Sequence, residues 1–118
     1  SNPGFRSRIA HHIDFPDYSD AELLQIAQTM LDAQGYALDG PARAAMTEYI
    51  AARRQQPHFA NARSLRNALD RARLRQASRL FEAGRGPLDA QALSTLTEPD
   101  IRASRVFRGG LDIDRPSA

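Results

Sequence analysis

Each of the three longer amphipathic stretches in this 118-residue chain is closed by glycine or proline, which limits the fold to short helices joined by brief loops. Ser19-Asp20-Ala21-Glu22 has the capping-box pattern, in which a serine side chain takes the N–H three residues on and the glutamate reaches back. Leu23, Ile26, Ala27, Met30 and Leu31 then fall on one stripe, and Gly35 supplies the stop. Asp39-Gly40-Pro41 opens a second helix with Ala42, Ala45, Met46, Tyr49 and Ile50 on one face, closed by Pro57. Asn61 is placed to cap a third, longer helix from 62 to about 83, with Leu65, Leu69, Ala72, Leu80 and Phe81 facing inward. Gly84, Gly86 and Pro87 end it. Two short helical pieces are expected beyond, one from about Asp89 to Leu96 and one from the cap pattern Thr97-Glu98-Pro99-Asp100 to the residue before Gly109-Gly110. The last eight residues read as a frayed tail.

The start of the chain has a different character. Asn2-Pro3 suits a helix start, so one short turn is expected to about Ser7. Residues 9–15 alternate loosely, with Ile13 and Phe15 on one face, and Pro16 stops them, which reads as a short strand. A lone strand leaves its N–H and C=O groups without partners. Residues 1–15 therefore read as the cut end of a sheet, and the chain as part of a larger protein or one that pairs with another chain. Its open edge would invite dimerisation or strand exchange.

Composition excludes several classes. No cysteine is present, so there is no disulfide framework and no thiolate metal site. No apolar run approaches the ~18 residues of a membrane span. The first residues lack a leader pattern, so secretion is not expected. All 16 basic residues are arginine. The net charge of +2 hides an asymmetry, because residues 61–85 alone carry seven Arg against Asp70 and Glu82, net +5. A partner of that segment should be anionic: a phosphate, a nucleic acid or an acidic protein face.

Candidate chemistry is sparse. Histidines 11, 12 and 58 are read as surface or packing residues, since His11 and His12 would point to opposite faces of a strand and could not share a metal. No metal site and no Ser/His/Asp constellation is expected. On the third helix Arg66 and Arg73 share one face, and Arg71, Arg75 and Arg79 another, which fits either a solvated face or a nucleic-acid stripe. Arg63 differs, because it sits within the first turn of that helix, where the dipole favours an anion and a guanidinium can add a bidentate grip on phosphate. Arg6 and Arg8 stand just before the strand, where a guanidinium can project across an interface toward a phosphoryl group.

These arginines lie in segments that resemble the second half of an AAA+ ATPase. Ser1-Asn2-Pro3-Gly4-Phe5-Arg6-Ser7-Arg8-Ile9 resembles the end of the helix that carries the arginine finger, and His11 to Pro16 the last strand of the nucleotide-binding subdomain. Tyr18 to about Phe81 is similar to the helical lid, and Phe59-Ala60-Asn61-Ala62-Arg63-Ser64-Leu65-Arg66-Asn67 to the sensor-2 motif, with Ala60 where family members often have glycine. The run from Arg53 to Ala77, with Phe15-Pro16-Asp17-Tyr18 and Ile101 to Phe107, is similar to the red-type rubisco activases. The opening stretch is shared with sporulation and type VII secretion ATPases, so the 53–77 run discriminates better.

The resemblance implies a mainly α fold: the AAA+ C-terminal helical lid, preceded by a short helix and one strand cut from the α/β subdomain. It divides the chain into 1–16, the end of that subdomain; 17–108, the lid; and 109–118, a flexible tail. Arg8 becomes the arginine finger acting on the neighbouring subunit's ATP, with Arg6 in reserve. Arg63 becomes sensor 2, touching the γ-phosphate of the subunit's own ATP, while Leu23, Ile26 and Ala62 line the adenine pocket. ATP and Mg2+ are implied as cofactors, held mainly by a subdomain whose G-x-x-x-x-G-K-[ST] loop is not in these 118 residues. These residues alone are therefore not expected to hydrolyse ATP. The family works as a homo-hexamer that pulls on the C-terminal tail of the rubisco large subunit and frees a tightly bound sugar phosphate, with ribulose bisphosphate as allosteric effector. That places it in the bacterial cytoplasm or the plastid of a red-lineage alga, with neither nucleic acid nor membrane as partner. Two alternatives stand beside it: the lid of a related AAA+ ATPase with a sporulation or type VII secretion client, and a small basic helical module for nucleic acid or protein.

Overall fold

The computed structural model describes residues 18–84 and 89–112. The expected N-terminal turn and strand, with Arg6, Arg8, His11 and His12, lie outside them, as do residues 113–118 of the expected tail. Within them the fold is mainly helical. Helix α1 runs Asp20–Ala33, strand β1 Ala37–Leu38, helix α2 Gly40–Arg53 and helix α3 Ala62–Ala83. Helix α4 (Ala90–Ser94), strand β2 (Thr95–Leu96), helix α5 (Glu98–Arg102) and a 3-10 turn (Arg105–Arg108) follow.

Local chemistry accounts for the boundaries. Ser19 Oγ accepts from the Glu22 N–H at 3.1 Å and Glu22 Oε1 accepts from the Ser19 N–H at 2.8 Å, closing the expected capping box of α1. At its far end Gly35 takes a φ of 78°, which lets its own N–H reach Asp32 O and the Tyr36 N–H reach Leu31 O. Asp39 caps α2 by accepting from the Ala42 N–H at 2.9 Å. Thr97 and Asp100 close a second capping box at α5.

The core lies where α1, α2 and α3 meet. Leu23, Ala27 and Leu31 of α1 pack on Ala42, Ala45, Met46, Tyr49 and Ile50 of α2 and on Leu65, Ala68, Leu69 and Ala72 of α3. Of the stripe expected for α1, Leu23, Ala27 and Leu31 are buried and Ile26 and Met30 half-buried; the whole stripe expected for α2 is buried, and α2 adds Arg53, which is fully buried. Leu96, Ile101 and Val106 close the core from the C-terminal side.

Four expectations are corrected. Phe81 is 85% exposed rather than inward. At 22 residues α3 is about 33 Å long, against about 21 Å for the 14-residue α1 and α2, so its last turns have no long helix to pack on. Gln76 takes the inward place, and its Nε2 donates to the carbonyls of Ala92, Leu93 and Thr95. The piece from Asp89 to Leu96 is not one helix, because Thr95 and Leu96 turn extended and pair in parallel with Ala37 and Leu38. The segment from Thr97 likewise breaks into α5 and the 3-10 turn, separated by Ser104, which is extended and caps the turn through the Val106 N–H. The C-terminal residues are anchored as far as Asp112, which is buried and accepts a hydrogen bond from the Tyr49 hydroxyl and an ion pair from Arg71 at 2.8 Å.

Candidate functional site

The segment between α2 and α3 carries the residues on which a phosphate site would depend. No glycine occurs between Arg53 and Ala62, yet the backbone is left-handed in φ at His58 (65°) and Asn61 (47°). Such positions persist only where neighbours fix them. Arg53 donates from Nη1 to Pro57 O at 3.2 Å, with its guanidinium carbon 5.6 Å from the Phe59 ring centroid. Ser64 Oγ accepts from the Ala60 N–H at 2.8 Å. Ala60 itself has no positive φ, so the departure from glycine there introduces no left-handed strain.

Asn61 stands at the N-cap position but does not cap. Its φ of 47° and ψ of −118° leave its side chain without a bond to the first turn of α3. That turn therefore presents its dipole without a side-chain oxygen in front of it. Arg63 projects from it, exposed and without an ion pair among the described residues. Ala62 precedes it, half-buried.

Ile26 is half-buried on the wall of a groove between α1 and α3, with Met30, Leu69, Asp70 and Arg66. Leu23 is not there. It is fully enclosed in the core, so in this arrangement it has no surface to offer an adenine. The structure thus brings Ile26 beside Arg66, one turn beyond Arg63, and places Leu23 behind them.

The other arginines of α3 have internal partners. Arg71 pairs with Asp112, and Arg73 with Asp70 while lying 5.4 Å from the Tyr36 ring centroid. Arg75 donates to Asp100 O at 2.8 Å. Arg79 grips the Asp100 carboxylate through Nε at 3.0 Å and Nη2 at 2.9 Å. Burial pushes the Asp100 carboxyl up, but the Arg79 and Thr97 hydrogen bonds outweigh it and hold the group below the ordinary carboxylate value. Burial lowers the Arg75 guanidinium, and the hydrogen bond to Asp100 raises that of Arg79. The stripe of positive charge in the sequence is therefore largely a set of structural pairs, with Arg63 and Arg66 left facing solvent. Sequence reading did not find Asp112, Gln76 or the tertiary role of Asp100. Asp100 was visible only as a cap residue, and nothing local marks the other two.

Among the described residues no group of three His, Cys, Asp or Glu side chains is arranged to hold a metal ion. No helix among them is long and apolar enough to cross a membrane.

Comparison with known proteins agrees with the mainly helical fold. The AAA lid domain family matches residues 19–106. Protein CbbX of Cereibacter sphaeroides is 70% identical over all 118 residues, which cover 38% of its length. Protein CfxQ of Xanthobacter flavus is 66% identical over 112 residues, 95% of this chain and 35% of the relative. A CfxQ homolog of Guillardia theta is 51% identical over 108 residues, 92% of this chain and 37% of the relative. The chain thus spans little more than a third of these relatives. The family match runs from the Ser19 cap of α1 into the 3-10 turn, and by it the chain belongs to the AAA lid domain family.

Proposed function

We propose that these residues form the nucleotide-sensing lid of an AAA+ ATPase of the relatives' length, and that this ATPase remodels inhibited red-type rubisco. The observation that carries the reading is Arg63, exposed and without an ion pair among the described residues, at the start of a long helix whose N-cap side chain makes no cap bond. A guanidinium and an open helix N-terminus together suit a terminal phosphate. ATP fits that donor set; Mg2+ would be held by residues outside this chain. ATP, when bound, supplies the hydrolysis that drives the work. Arg63 holds the γ-phosphate and transmits its loss to the lid, Ala62 lets the helix start approach closely, and Ile26 offers an apolar wall to the base. Arg8, with Arg6 in reserve, acts as the finger toward a neighbouring subunit's ATP, which requires a ring; a homo-hexamer fits. Without a phosphate loop the 118 residues alone do not turn over ATP.

The client reading rests on the resemblance of the 53–77 run, with the identity to proteins CbbX and CfxQ as support. It comprises the rubisco large-subunit tail as substrate, ribulose bisphosphate as effector, and a bacterial cytoplasm or algal plastid as setting. The test is ATP turnover by the full-length ATPase with and without ribulose bisphosphate. Stimulation, abolished by Arg8→Ala, supports it. Turnover indifferent to the sugar phosphate moves the client toward a sporulation or secretion type, and no turnover under any condition overturns the ATPase reading. The alternative of a nucleic-acid module is weakened by the internal partners of Arg71, Arg73, Arg75 and Arg79.

A further inference from the structure

Arg53 and Arg54 end α2 side by side and serve opposite sides of it. Arg53 is fully buried, holding the α2–α3 loop through Pro57 O and the Phe59 ring. Arg54 turns to the start of α1, where Nη2 donates to Tyr18 O at 2.7 Å and Nη1 pairs with the Asp20 carboxylate. We infer that this tandem is a brace fixing Arg63 relative to the point where the chain enters the lid, which makes Arg54 a positioning residue for the phosphate contact. The inference rests on the reading of Arg63 given above.

The physical argument is one of rigidity. A loop with two left-handed, non-glycine residues relaxes unless it is held. Arg53 to Pro57, Arg53 to Phe59 and the Ala60 N–H to Ser64 hold the far side of this one, and Gln56 ties it to Gly110 and Asp112. Because Arg54 is the next residue along the backbone, whatever fixes its guanidinium also fixes the base of the loop. Its planar fork meets two acceptors at once, the Tyr18 carbonyl and the Asp20 carboxylate, on the first residues of the lid. A rotation delivered through the chain at Tyr18 thus reaches Arg63 without being absorbed by the loop between α2 and α3. A lysine in place of Arg54 supplies a point charge but not the fixed fork.

The test is a double-mutant cycle in the full-length ATPase, with kcat and KM for ATP as readouts and a thermal melt of each variant. Arg63→Ala should lower kcat by about 100-fold, the scale of losing one donor to developing phosphoryl charge. Arg54→Met should lower it by about tenfold with little change in KM, because it displaces Arg63 without touching the nucleotide. The double variant should be no slower than Arg63→Ala alone, and Arg54→Lys should recover only part of the loss. Asp20→Asn loosens the same brace from its other end, with a smaller fall in kcat, and replaces Arg54→Met if that variant fails to fold. Losses that multiply in the double variant overturn the brace, as does a wild-type kcat in Arg54→Met beside an impaired Arg63→Ala; either leaves the phosphate contact standing. A wild-type rate in Arg63→Ala overturns the phosphate contact and the brace together.

Discussion

Among the described residues Asn61 and His58 are the non-glycine positions with a positive φ, and Asn61 also stands where a cap is expected. At φ 47° and ψ −118° it is strained and makes no cap bond. Asn61→Gly should therefore stabilise the chain by about 1 kcal/mol in thermal denaturation, since glycine enters that region without the steric cost. Asn61→Ala should show none of the roughly 1 kcal/mol loss expected when a true cap is removed, beyond any change in strain. Asp100 stands at the other extreme, buried and with every oxygen engaged. Its carboxyl is held below its ordinary value of 3.8, so the stability it contributes is complete above that value and is lost as pH falls through the lower folded one. Acid unfolding of Asp100→Asn should lose part of the wild-type steepness below about pH 4, and the variant should already be weaker at neutral pH. That Asp100 caps α5 is legible in Thr97-Glu98-Pro99-Asp100. That it also receives Arg79 is not, because the residues are 21 apart and no local pattern links them.

The elements divide between those set by local signals and those set by tertiary contact. Helices α1 and α2 follow their caps and apolar stripes closely, because each has enough apolar side chains to fix its own orientation. Helix α3 misleads at its end, where Phe81 continues the periodic pattern after the partner helices have run out. Phe81→Ser should change stability by no more than about 0.5 kcal/mol in a chemical denaturation curve. Gln76→Leu should cost about 2 kcal/mol, because it strips a donor from three carbonyls at the end of α4. The β1–β2 pair has the weakest sequence signal of all. Two residues per strand cannot show a period, and its register of Ala37 with Thr95 and Leu38 with Leu96 comes from the helices on either side.

At the scale of the whole molecule, the described C-terminal residues act as a clasp. Gln56 donates to Gly110 O at 2.7 Å and accepts from the Asp112 N–H, while Tyr49 and Arg71 both reach the Asp112 carboxylate. Asp112→Ala leaves a buried hydroxyl beside a guanidinium and should cost about 3 kcal/mol in the same denaturation measurement. Sequence reading treats this stretch as a tail because its glycines and single exposed leucine show no periodicity. The signal behind the proposed phosphate contact is more local. Arg63 at a helix start is a local pattern with a local reason, whereas Leu23, assigned to the adenine wall on the resemblance, belongs to the core. The most direct test of the account is single-turnover ATP hydrolysis by the full-length ATPase carrying Arg63→Ala. A rate about 100-fold below wild type, with nucleotide still bound, is the predicted result; hydrolysis at the wild-type rate would contradict it.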